Sequence, residues 1–205
     1  MVGVIDYGAG NIRSMVNAIL RVGRKFGVEV VVSSDVDTLK HSEKLILPGV
    51  GAFADVMANL RRNNLDVFIK DWIASGRKFM GVCVGLQVLF EVGYEGERVD
   101  GLGIFRGEVV RFSKAEPIPH IGWNQINVVN ENLFFSKEDS GKYFYFVHSY
   151  YAVVDTPEIV STTTEYKGEV FVSSIFCENL FAVQFHPEKS HLNGEEVIRK
   201  FLVDF

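Results

Sequence analysis

Lys78-Phe79-Met80-Gly81-Val82-Cys83-Val84-Gly85-Leu86-Gln87 is the stretch on which the fold turns. An apolar run meets a cysteine that has glycine two residues away on either side, and apolar residues at helical spacing (Leu86, Leu89, Phe90) follow at once. The pattern predicts strand, tight turn, helix, with Cys83 on the turn. Glycine on both sides lets the backbone fold sharply without a Cβ clash and holds the sulfur proud of the sheet. A thiol just ahead of a helix also meets the positive end of the helix dipole, a setting that favours a thiolate nucleophile.

Upstream, strands and helices alternate. Val2–Ile5 reads as a strand, followed by the turn Asp6-Tyr7-Gly8-Ala9-Gly10-Asn11 and a helical pattern (Ile12, Met15, Val16, Ile19, Leu20) that stops at Gly23. A glycine-rich turn invites a dinucleotide reading, but the third glycine of G-x-G-x-x-G would fall at Arg13, so the fingerprint fails. That leaves a tight turn, or a Tyr7–Arg13 surface offered to a partner. Val28–Val32 and Leu45–Leu47 are the next strands, and Pro48-Gly49-Val50-Gly51 follows the latter as an ordinary loop or as a strand whose N–H groups face a ligand. Two helices are expected at Phe53–Leu60 and Leu65–Ile73, the second with Asn64 as N-cap and Gly76 as its stop. Such alternation implies right-handed crossovers and a mostly parallel sheet, whose strand carboxyl ends are where ligands bind.

From Gly101 onward the pattern changes to short strands: Glu108–Phe112, Gln125–Val129, Tyr143–Val147, Tyr151–Val154, Val160–Thr164, Val170–Phe176 and Leu180–Phe185. They read as antiparallel or mixed and as an extension of the same sheet. A last helix is expected at Gly194–Val203, with Asn193 and Glu196 in capping-box spacing.

Composition narrows the class. With 205 residues, 47% apolar and 23% charged, the chain fits one globular α/β domain over residues 1–205. A net charge of -5 argues against nucleic-acid binding, and the sequence has neither a membrane-spanning run nor a signal peptide, which points to the cytoplasm. Two cysteines, Cys83 and Cys177, are too few for a disulfide framework and lack zinc-site spacing, so no metal or other cofactor is expected.

A second chemical group ends the strand Leu180–Phe185, in His186-Pro187-Glu188-Lys189-Ser190. The proline stops the ladder and stiffens the turn, so the imidazole and the carboxylate can face one space. Thiol, base and orienting acid are the parts of nucleophilic acyl transfer: Cys83 attacks, His186 moves the proton and Glu188 orients it. Each also has an ordinary structural explanation. His41, His120, His148 and His191 are rival bases, His148 foremost, while Cys177 reads as a small core hydrophobe.

Together, Pro48-Gly49-Val50-Gly51, Gly81-Val82-Cys83-Val84-Gly85-Leu86-Gln87 and His186-Pro187-Glu188 resemble the class I, triad-type glutamine amidotransferases. Asp6–Asn11, Pro119-His120-Ile121-Gly122-Trp123-Asn124 and His186–Ser190 narrow the resemblance to the glutaminase subunits of imidazole glycerol phosphate synthases. Val84 departs slightly, standing where leucine is commoner. The resemblance implies a flavodoxin-like three-layer sandwich whose mixed, mostly parallel central sheet is extended by antiparallel strands. It further implies hydrolysis of glutamine through a Cys83 thioester, and delivery of ammonia to a (β/α)8 cyclase subunit that forms imidazole glycerol phosphate and AICAR in histidine biosynthesis.

The same resemblance assigns residues. Val84 and the Val50–Gly51 segment would form the oxyanion hole, the segment reorienting when the partner binds. Gly51, Gln87, Glu95, His148, Ser149 and Tyr150 would hold glutamine. Asn11, Trp123, Tyr145 and Lys189 would meet the cyclase subunit in a heterodimer, the alternative for Trp123 being a core residue. The competing readings are the glutaminase subunit of another amidotransferase, such as that of pyridoxal phosphate synthesis, and a non-catalytic flavodoxin-like redox or binding protein.

Overall fold

A computed structural model describes residues 1–8 and 12–205, so Asn11 lies outside the described residues. Five parallel strands form its centre: β1 (Val2–Ile5), β2 (Val30–Ser33), β3 (Lys44–Leu47), β4 (Lys78–Val82) and β14 (Leu180–Val183). Their order is β2-β1-β3-β4-β14, the flavodoxin-like arrangement with its switch point between β1 and β3. Beyond β14 the sheet continues antiparallel through β13 (Glu169–Cys177), β12 (Val160–Tyr166) and β9 (Asn127–Val128).

Period-2 alternation decides what each face covers. Val4, Ile46, Met80, Val82, Phe181 and Val183 pack with helices α1 (Ile12–Gly23) and α6 (His191–Arg199) through Met15, Ile19, Val197 and Ile198. Ile5, Leu45, Leu47, Phe79, Leu180 and Ala182 face the other way, against Val56, Met57 and Leu60 of α3 (Phe53–Arg62) and Ile69 and Trp72 of α4 (Leu65–Ala74). The short α2 (Val36–Leu39) is capped by Asp35, whose carboxylate accepts from Asp37 and Thr38 N–H. Among the described residues no helix is long and apolar enough to cross a membrane.

The structure corrects four expectations. The helix after Cys83, α5 (Val84–Gln87), is a single turn, and Phe90 enters a strand, β5 (Phe90–Gly93). Leu86, Leu89 and Phe90 are all buried, so their spacing did not discriminate. The backbone decides instead, as Leu102, Gly103 and Ile104 N–H donate to Val88, Phe90 and Leu89 carbonyls. Asn64 takes a left-handed φ of 54° and makes no side-chain cap. The last helix begins at His191, which places Asn193 inside it, where its amide donates to the Tyr143 carbonyl, and Glu196 pairs with Arg199.

The fourth correction concerns the later strands, which do not all extend one sheet. β5, β6 (Val99–Asp100), β7 (Phe105–Arg111) and β11 (Tyr150–Val154) form a four-stranded sheet, while β8 (His120–Gln125) pairs antiparallel with β10 (Tyr143–His148). The central sheet's edge beyond β14 is already filled by β13, β12 and β9.

Candidate active site

Register carries the chemistry to one place. Leu47 pairs with Gly81 and Val82 with Val183, so the ends of β3, β4 and β14 lie side by side and deliver the Gly49–Gly51 segment, Cys83 and His186. Cys83 takes φ 54° and ψ −110°, a strained conformation for a residue with a side chain. The elbow is held by close backbone packing. A Cβ on Gly81 would stand 2.4 Å from the Gly85 carbonyl oxygen, and one on Gly85 2.3 Å from that of Leu47. Gly49 is closer still, since a Cβ there would meet the Val82 oxygen at 2.1 Å.

His186 Nδ1 lies 2.8 Å from Glu188 Oε1, and both side chains are buried. The turn that holds them is fixed by Ser190, whose hydroxyl donates to the His186 carbonyl at 2.6 Å and accepts from Tyr145 N–H at 3.0 Å. Helix α6 presses against this turn at Gly194, where a Cβ would collide with the Pro187 oxygen. His186 Nε2 is buried with no hydrogen-bond partner, and the Cys83 sulfur, although outside hydrogen-bond geometry, is near enough to act on its charge. Burial opposes protonation of His186, but Cys83 and the Glu188 carboxylate outweigh it and raise the imidazole to about 10. That supports an imidazolium whose second N–H is directed by Glu188.

A cavity of about 320 Å³ opens over these groups. Its wall includes Val50, Gly51, Cys83, Val84, Gln87, Glu95, His148, Ser149, Tyr150 and His186. Every expected oxyanion and substrate-holding residue therefore lines one cavity with Cys83 and His186, with Glu188 behind His186. Val84 is the first residue of its helix, so its N–H has no intrahelical acceptor. Val50 differs. Its N–H donates to the Tyr7 hydroxyl at 3.2 Å, and the same hydroxyl donates to the Val50 carbonyl at 3.1 Å. Glu95 accepts from Phe53 N–H at 2.7 Å, capping α3 at the rim of the cavity.

His148, the foremost rival base, has neither ring nitrogen free. Its Nδ1 donates to the Tyr150 carbonyl at 2.8 Å and its Nε2 faces His120 Nδ1 at 3.1 Å, so both ring nitrogens are engaged. His41 and His191 are exposed, and His191 stacks on Trp123 at 5.2 Å. Trp123 is itself 45% exposed on the β8–β10 face, edge-on to Tyr145, over whose ring Lys189 sits at 5.7 Å. The core alternative for Trp123 is thereby overturned. Cys177 is only half-buried, at the edge of a core cluster.

The sequence reading missed two residues. Tyr7, expected in a turn or on a partner surface, is buried at the switch point. Gln184 is fully buried, and its amide nitrogen is 3.5 Å from the Cys83 sulfur. Its signal was its place one residue beyond the register partner of Val82.

Comparison with known proteins agrees with this geometry. The family model described as glutamine amidotransferase class-I matches residues 3–205. The chain belongs to the class-I glutamine amidotransferases. Within that family it belongs with the HisH subunits. It is 44% identical over 203 residues to imidazole glycerol phosphate synthase subunit HisH of Rhodopirellula baltica, covering 98% of this chain and 96% of that one. It is 46% identical over 198 residues to the HisH subunit of Aquifex aeolicus, covering 97% and 94%. The solved structure of PurLQS from Thermotoga maritima superposes with a TM-score of 0.76 at 19% identity, over 99% of this chain and 97% of that chain, a likeness of fold alone.

Proposed function

We infer that this amidotransferase hydrolyses glutamine to glutamate and ammonia and, in the cytoplasm, passes the ammonia to a (β/α)8 cyclase subunit that makes imidazole glycerol phosphate in histidine biosynthesis. One observation carries the chemistry: a cysteine on a strained elbow shares a cavity with a buried histidine whose far nitrogen is fixed by a carboxylate.

The Cys83 sulfur attacks the side-chain amide carbon of glutamine, forming the C–S bond and moving the carbonyl electron pair onto oxygen. His186 gives its Nε2 proton to the amide nitrogen, the C–N bond breaks and ammonia departs, leaving a thioester. Water then attacks with His186 as base, and the C–S bond breaks to return the electron pair to sulfur and release glutamate. Glu188 holds the imidazole in the tautomer that both steps need. The oxyanion is stabilised by Val84 N–H and, once its peptide turns away from Tyr7, by Val50 N–H; such a donor is worth roughly 3–4 kcal/mol. Glu95 and the Gly51, Ser149 and Tyr150 backbone hold the amino-acid end of the substrate, opposite charges meeting at Glu95.

The test is glutamate release by the purified chain, alone and with a cyclase barrel and its nucleotide ligand. Stimulation by the partner, abolished in Cys83→Ala while added ammonia still supports the cyclase reaction, is expected. High activity alone that the partner leaves unchanged rejects the division of labour, and stimulated activity retained by Cys83→Ala rejects the nucleophile.

A further inference from the structure

A row of buried hydrogen bonds runs from the β8–β10 ribbon to the nucleophile. His148 Nδ1 and Gln87 Nε2 both donate to the Tyr150 carbonyl, each at 2.8 Å. The same Gln87 nitrogen is 3.1 Å from Gln184 Oε1, and Gln184 Nε2 is 3.5 Å from the Cys83 sulfur. The direction of this row is set by its first acceptor. A backbone carbonyl only accepts, so Gln87 must present its NH₂ there; that NH₂ must then meet the oxygen of Gln184, which leaves the Gln184 NH₂ facing sulfur.

The sulfur's other polar neighbour among the described residues, besides His186, is the Val147 carbonyl at 4.0 Å, which can only accept. The neutral thiol can donate to Val147, whereas a thiolate beside the His186 imidazolium charge has, among the described residues, one side-chain hydrogen-bond donor, the Gln184 amide. We propose that Gln184 is a catalytic residue, an amide donor that supports the Cys83 thiolate before attack and again when the C–S bond of the thioester breaks and its electron pair returns to sulfur. Gln87, whose amide hydrogens are both committed to Tyr150 and Gln184, is then a positioning residue for that donor as well as a wall of the cavity. Gln184 is fully buried and its backbone N–H is fixed to the Ser173 carbonyl at 2.9 Å, so the donor is preorganised and costs little reorientation during the reaction.

The proposal rests on the glutaminase reading only for its turnover arm. Gln184→Met keeps the length of the side chain without a donor. Gln184→Glu keeps the shape and the bond accepted from Gln87 but turns a carboxylate oxygen to sulfur. Alkylation of Cys83 by iodoacetamide at neutral pH, followed by the mass of the Cys83 peptide so that Cys177 is read separately, is expected to slow about three- to tenfold in Gln184→Met and further in Gln184→Glu. With the cyclase partner bound, kcat for glutamate release falls in the same order while KM for glutamine stays within about twofold.

A Gln184→Met chain that alkylates and turns over like the parent overturns the proposal. So does the reverse order, with Gln184→Glu faster than Gln184→Met, since that is what a purely space-filling role gives. If the buried carboxylate unfolds Gln184→Glu, the Gln184→Met result decides alone. Parent chain that releases no glutamate but shows the alkylation order rejects the glutaminase reading and leaves the Gln184 donor standing. The converse, robust glutamate release with unchanged alkylation, rejects Gln184 alone.

Discussion

At Tyr7 one hydroxyl ties both polar groups of Val50, accepting from its N–H and donating to its C=O. Burial pushes the phenol up to about 12, against the pull of the Val50 backbone bond, so the hydroxyl stays protonated and able to donate at any working pH. While these bonds hold, the Val50 N–H cannot serve an oxyanion. Tyr7→Phe keeps the ring in its pocket and removes both bonds. Each is worth about 1 kcal/mol, so glutaminase activity without the partner should rise roughly fivefold or more, with KM for glutamine little changed. Steady-state kinetics of the isolated chain check this, and unaltered basal activity means that Tyr7 does not restrain the segment. Cys83, His186 and Glu188 were legible in the sequence because glycine and proline punctuate the turns around them. Tyr7 and Gln184 were not, because each acts on a residue more than 40 positions away, and only strand register shows that they meet.

Between strands β8 and β10 the cross-strand pair His120–His148 forms an element of a different kind. His120 stacks on Tyr166 at 4.1 Å and on Phe146 at 5.0 Å, and Asn124 lies 3.3 Å from its Nε2. Burial lowers both imidazoles, His120 to about 4 and His148 to about 3. In the unfolded chain each takes up a proton near pH 6.5, so the stability due to the neutral pair is complete above that pH and is lost as pH falls toward 4 and then 3. His186 has the opposite sign: raised to about 10, it contributes below pH 6.5 and its contribution fades as pH rises through 10. The urea midpoint should therefore drop between pH 7 and 4.5, and the slope should be shallower in His120→Leu, which removes one of the two titrating rings. Equal slopes in the two chains exclude the pair as a source of acid sensitivity. None of this pairing was visible in the sequence, where the Pro119–Asn124 stretch carried a family resemblance but no partner for its histidine. The parallel half of the fold was readable, since most of its strands are short apolar runs buried on both faces and parted by stretches at helical spacing. The later strands were readable as strands but not as three separate sheets, because hydrophobic pattern gives a strand's buried face and not its neighbour.

Across the whole molecule, the strand ends that build the cavity lie beside the surface that carries Trp123. The His186 backbone N–H donates to the Tyr145 carbonyl at 2.9 Å, and Tyr145 pairs in register with Trp123, so the turn that carries His186 and this surface share one ribbon. Ile121 and Trp123 project from the same face of β8, 59% and 45% exposed, with Leu192 of α6 79% exposed. Exposed apolar side chains grouped beside a reaction site fit a docking surface better than a free one, and a flat tryptophan stacked on His191 is already ordered before a partner arrives. Trp123→Ala should weaken binding of a cyclase barrel by about 2 kcal/mol, roughly 30-fold, as removal of a central aromatic anchor does. Its stacking partner and its edge contact with Tyr145 are surface contacts, so the thermal midpoint of the isolated chain should move by only about 1–2 °C, as for a loss of about 0.5 kcal/mol. Calorimetric titration of the barrel into parent and variant gives the first quantity and a melting curve the second. Unchanged affinity with a large fall in midpoint assigns Trp123 to the fold; lost affinity with a preserved midpoint makes it the anchor that couples the partner, through β10, to the turn holding His186.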